Sequence, residues 1–111
     1  MPHYMLQASY TSESWAAQIQ NPQDREEQLR QRCAVDGIDL LFFYYSFGEY
    51  DVVVIVEAPN NVSVATLAMV VASGGAVKSL KTTILMTSQE GVEAMTRAHN
   101  THYEPPGSKG A

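Results

Sequence analysis

The stretch "FFYYSFGEYDVVVIVEAP", residues 42–59, constrains the fold of this chain more than any other. Two runs, "IDLLFFYYSF" and "YDVVVIVEAP", are dense in aromatic and β-branched residues and flank Gly48-Glu49. They read as antiparallel strands joined by a tight hairpin, with Gly48 in the position that needs positive φ. A lone hairpin is marginal in water, so further strands or a helical cover must complete the sheet.

The remaining segments supply them. "HYMLQASY" (residues 3–10) is a short strand, after which Thr11 and Ser12 offer cap oxygens to a helix carrying Trp15 and Ile19. "NPQDREEQLRQRCAVDG" has Asn21 as a cap, Pro22 at a first helical position, acids early, arginines late and Gly37 as a stop, so a second helical piece follows a break at Asn21-Pro22. Asn60 or Asn61 caps "VSVATLAMVVAS", which ends at Gly74-Gly75. That helix is apolar on nearly every side, which predicts cover from its own sheet and from a neighbouring subunit or the trailing helix. "AVKSLKTTILM" alternates as a last strand, and Thr87 with Glu90 forms a capping box for "SQEGVEAMTRAH". The order β-α-β-β-α-β with a trailing helix predicts an α+β domain of ferredoxin-like type, a four-stranded antiparallel sheet with helices on one face. The domain is expected over residues 1–98, and the Pro/Gly-rich segment 99–111 reads as a loose tail.

Composition narrows the functional classes. At 111 residues the chain is one domain, and twelve acidic against seven scattered basic residues give no footprint for nucleic acid. No apolar run reaches the roughly 18 residues that span a bilayer, and no signal-peptide pattern opens the chain, so a soluble cytoplasmic protein is expected. The single cysteine, Cys33, excludes an internal disulfide and reads as a packed thiol at helical spacing from Leu29.

Strand alternation sorts the side chains into two sets. Tyr4, Leu6, Ala8, Tyr10, Leu41, Phe43, Tyr45, Val52, Val54, Val56, Leu80, Ile84 and Met86 belong under the helices. The other face is mixed: Met5, Phe42, Tyr44, Val53, Ile55 and Leu85 share it with His3, Gln7, Ser9, Ser46, Asp51, Ser79, Lys81 and Thr83. An apolar patch of that kind marks an interface, so a second copy of the chain is the expected partner.

"FYYSFGEYDVVVIVEAP", preceded by "MPHYMLQASYT", resembles the GYD domain family, whose Gly, Tyr, Asp signature is carried here by Gly48, Tyr50 and Asp51; the likeness covers roughly residues 2–88. The resemblance implies a dimeric α/β barrel in which two ferredoxin-like sheets face each other. It implies no particular activity, because related folds include cofactor-independent monooxygenases, small-molecule isomerases and ligand-sensing modules.

Asp51 has two readings. As a general base it needs a cavity; as a hairpin carboxylate it accepts hydrogen bonds from the Ser46 hydroxyl and from amides around Gly48. The second is the expectation, with Asp51 also bordering a cavity. Ligand contacts on the mixed face are expected from Asp51, Tyr44, Ser46, Lys81 and Gln7, with Lys81 as a counter-ion or a solvated edge cation. Tyr44 and Tyr45 point to opposite faces. His3, His99 and His102 complete no ligand set, so neither metal nor cofactor is expected. Gly74-Gly75 lacks the strand-then-helix setting of a dinucleotide loop. The function expected is binding of a small organic molecule by a homo-oligomer, as a cofactor-free enzyme or a ligand sensor. The alternatives are an assembly protein without a site, or an amino-terminal-proline tautomerase that uses Pro2.

Overall fold

The computed structural model describes residues 1–107; the last part of the expected tail, residues 108–111, lies outside the described residues. The chain forms β1 (His3–Tyr10), α1 (Ser12–Gln20), α2 (Arg25–Val35), β2 (Asp39–Tyr45), β3 (Val52–Glu57), α3 (Asn61–Ser73), β4 (Val77–Leu85) and α4 (Ser88–His99). The four strands make one antiparallel sheet in the order β2-β3-β1-β4, so the hairpin strands are neighbours and the outer strand β4 pairs with β1. This is the α+β architecture expected from the order of elements.

Local chemistry sets the ends of the helices. The Thr11, Asp24, Asn60 and Thr87 side chains each accept from a first-turn N–H, satisfying donors that have no intrahelical partner. The Thr87–Glu90 capping box forms, with N···O distances of 3.0 and 3.1 Å. The second helix begins later than the Asn-Pro pair suggests: Asp24, not Asn21, is its cap, and residues 21–24 form the break. At the end of α3, Gly75 takes φ +78°, a left-handed conformation that costs glycine little.

Helix α2 lies over β2 and α3 over β4. Between these helices and the sheet sits a core of Tyr4, Leu6, Ala8, Cys33, Ile38, Leu40, Val52, Val54, Val56, Ala58, Val64 and Leu67. Cys33 is fully buried, as its spacing predicts, and burial pushes its thiol pKa up. Two expectations for this face are corrected. A β-bulge between Leu40 and Phe42 inserts one residue, so Leu40 enters the core and Leu41 does not. Ile84 and Met86 are 62% and 65% exposed, because no helix covers the far end of β4.

Helix α4 does not return to the body. None of its residues is buried, although Val92 and Met95 make an apolar stripe along it, and the outer side of α3 shows Val62 and Met69. The chain extends 64 × 29 × 23 Å, with a Cα radius of gyration of 18.5 Å, against about 13 Å for a compact chain of this length. The trailing helix is therefore not the second cover expected for α3.

Candidate functional site

The Gly-Glu-Tyr-Asp segment closes the corner where β1 ends and α1 begins. Ser46 N–H donates to the Asp51 carbonyl at 2.8 Å and Asp51 N–H to the Ala8 carbonyl at 2.8 Å, so the hairpin continues past β2 and is stitched to β1. Its loop is not the tight turn expected. Gly48 has φ +159°, nearly extended, and side-chain bonds hold the loop instead: Ser46 Oγ donates to the Tyr50 carbonyl at 2.7 Å and buried Ser9 Oγ to the Glu49 carbonyl at 2.8 Å.

Asp51 precedes the first residue of β3, which frees its side chain from strand alternation. One carboxylate oxygen, Oδ2, accepts from the Tyr10 N–H at 2.9 Å and from the Trp15 indole N–H at 3.3 Å. The expected donors, the Ser46 hydroxyl and the amides around Gly48, are not its partners. The Trp15 ring packs edge-on against Tyr10 with centroids 5.2 Å apart, and lies 6.5 Å from Tyr45. Asp51 thus fixes the backbone and, through Trp15, the ring of Tyr10.

Tyr10 stands at one end of a cavity of about 350 Å3 between the sheet and the helices α2 and α3. Leu6, Ala8, Val52 and Val54 floor it, and Leu29, Phe43, Leu67 and Val71 wall it. Each belongs to the apolar set that the core pattern calls for, yet α2 and α3 stand far enough apart to leave the space between them unfilled. At the Tyr10 end lie Arg25, Gly74 and Ala76, and beyond them a polar chamber of about 440 Å3 lined by Thr11, Glu13, Ser14 and Gln18 among others. Arg25, Gly74 and Ala76 line both spaces, so the apolar cavity and the polar one lie side by side with Arg25 on their common border. Burial pushes the Tyr10 phenol pKa up; Tyr45 and Asp51 add to the shift and Arg25 opposes it. The phenol stays protonated at neutral pH and is available as a donor.

The residues expected to bind a ligand fall in two places. On the open face, register sets Tyr44, Val53, Gln7 and Lys81 in one transverse row, beside a second row of Phe42, Ile55, Met5 and Thr83. Three of the five candidates are therefore row neighbours. Asp51 and Ser46 are apart from them, in the hairpin corner. Phe42 and Tyr44 stack with centroids 6.4 Å apart and remain 51% and 63% exposed. None of the five lines the cavity under the helices.

That cavity was not legible in the sequence, since its walls come from six elements. Arg25 is its one polar residue with a sequence signal: it opens α2, where a cation is opposed by the helix dipole. Pro2 lines neither chamber, and its carbonyl accepts from the Ala58 N–H at 3.0 Å. Among the described residues no group of three or more His, Cys, Asp or Glu side chains is placed to hold a metal ion, and no helix is long and apolar enough to cross a membrane.

Comparisons with known proteins agree on the fold. The chain is similar to the protein of the crystal structure of FFRP-DM1, at 14% identity with a TM-score of 0.51, over 78% of this chain and all of that one. It is similar also to a hypothetical protein, PHS023, from Pyrococcus horikoshii, at 14% identity with a TM-score of 0.50, over 78% of this chain and 92% of that one. At such identity the likeness speaks for fold alone. No curated protein matches the chain. The family model of the GYD domain matches residues 4–95, across all of the sheet but its first residue and across the hairpin corner, and the chain belongs to the GYD domain family.

Proposed function

We propose that this protein binds a small organic molecule in the cavity beneath α2 and α3, and that it does so as a homo-oligomer whose open sheet faces meet. The observation that carries the first part is the cavity itself: a largely apolar space of about 350 Å3 whose polar lining is Tyr10 and Arg25 at one end with Gln28 and Arg32 further along α2, which is the usual composition of a ligand pocket. Asp51 acts there as a positioning residue, because its bonds to the Tyr10 amide and the Trp15 indole set the end wall. The cavity presents no nucleophile held against a base, which favours binding, as in a ligand sensor, over turnover.

The second part rests on the open face. Rows of Phe42, Ile55 and Met5 and of Tyr44 and Val53 form a continuous apolar surface, with Gln7, Lys81 and Thr83 at the ends of those rows and Asp39, Glu57 and His3 in the polar row that borders them, and a second copy offers the matching surface. The facing-sheet barrel of the resemblance is this arrangement. A specific observation supports a second pocket there: Gln7 and Lys81 are direct register partners in the row of Tyr44, with Val53 between, so two copies would place their polar groups on the inner wall of the barrel.

Native mass spectrometry of the protein as purified, with calorimetry using decanol as a neutral probe, tests the cavity reading. Decanol binding one molecule per chain, and its loss in Val71→Phe with folding intact, is the expected result. Undiminished binding in Val71→Phe would place the ligand elsewhere.

A further inference from the structure

The cavity and the polar chamber beside it differ in chemistry, and Arg25 stands at their junction. Of the four arginines, three are committed: Arg30 to Glu26 and Glu27, Arg32 to Asp36 at 2.8 Å, and Arg97 to Glu93 at 2.6 Å. Arg25 alone makes no ion pair or side-chain hydrogen bond among the described residues, although the chain carries a net charge of −5 and is rich in acceptors. Its position at the start of α2 gives it no stabilisation from the helix, where the neighbouring cap and first-turn residues are Asp24, Glu26 and Glu27. The Tyr10 hydroxyl, at the same end of the cavity, also lacks a hydrogen-bond partner among the described residues.

We infer that the ligand is a monoanionic amphiphile, a carboxylate with an aliphatic or aromatic tail, whose tail fills the apolar cavity and whose head meets the Arg25 guanidinium and the Tyr10 hydroxyl at the border of the polar chamber. This inference rests on the cavity reading above and adds the class of ligand. A carboxylate matches the planar fork of a guanidinium and accepts a phenol proton at the same time. The tail displaces water from Leu6, Ala8, Val54 and Leu67, which supplies affinity without specificity for the head group. Glu13 lines the polar chamber, and its negative charge works against head groups that carry two charges, such as a phosphate monoester.

The test is calorimetric titration of the full chain with decanoate, decanol, decylamine and decyl phosphate, each below its micelle concentration, repeated on Arg25→Gln. Arg25 holds no bond in the fold, so the variant should match the parent in circular dichroism and melting. Decanoate binding about tenfold more tightly than decanol, with decylamine weaker than both and the preference gone in Arg25→Gln, is the result expected for a charge-assisted hydrogen bond at a partly exposed mouth. Equal affinity for decanoate and decanol would overturn the ligand class and leave the cavity reading intact, as would decyl phosphate outranking decanoate. A preference that survives in Arg25→Gln would also overturn it, since the head would then be recognised elsewhere. Failure of all four probes to bind would overturn both readings.

Discussion

The two faces of the sheet are built from nearly the same residue types and end in opposite conditions. Under the helices, Tyr4, Leu6, Val54 and Val56 are at most 7% exposed, whereas Phe42 and Tyr44, on the same sheet, keep half or more of their surface in water. The covered face is held by α2 and α3; among the described residues the open face has no cover from its own chain. Apolar content therefore says which surfaces seek a partner, and topology says which of them finds one within the chain. A face left over at this scale is the ground for placing a second copy on it.

The largest effect that breaks this comparison is expected from Phe42→Glu. It places a charge within the proposed contact and removes an aromatic ring stacked on Tyr44, so the oligomer should separate into single chains at micromolar concentration, as read by light scattering. An unchanged mass would remove Phe42 from the contact. Next is Asp51→Asn, which removes the charge that accepts both the Tyr10 amide and the Trp15 indole hydrogens. A stability loss of about 1–3 kcal/mol in chemical denaturation is expected for charged hydrogen bonds of this kind, with ligand affinity falling because Tyr10 is no longer fixed. Full stability in the variant, with binding alone abolished, would move Asp51 from a positioning role to direct contact. The smallest effect concerns Cys33 on the covered side. Burial raises its pKa, so the reactive thiolate is scarce at neutral pH and grows only as pH rises above that of an ordinary thiol. An aromatic disulfide reagent should label it slowly in the native protein and rapidly in denaturant, and equal rates would show that α2 does not seal the core.

Much of the covered face was legible in the sequence. The hairpin runs, the Thr87–Glu90 box and the Gly74-Gly75 stop are local signals, and local signals place elements. Cys33 was legible because its spacing from Leu29 put it on the inward side of α2. The bulge at Leu41 was not, since a single inserted residue shifts the parity of half a strand and leaves no mark in composition. Asp51 was half legible. Its holding role followed from its place beside a turn, but its donors lie 41 and 36 residues away, where no spacing rule reaches. Arg25 was not legible, because "DREE" reads as a solvated helix start. Its setting emerges only when α2, β1 and the end of α3 meet at one corner.

The proposed facing-sheet assembly covers the open face with a second copy, and hydroxyl-radical footprinting tests this most directly, with Phe47 as an internal reference because it is 98% exposed in a loop outside the sheet. At micromolar protein, Phe42 and Tyr44 should be oxidised many times more slowly than Phe47, and the protection should vanish as dilution separates the copies. Phe42 and Tyr44 oxidised as fast as Phe47 at every concentration would mean that the apolar face stands in water, and the facing-sheet assembly would be wrong.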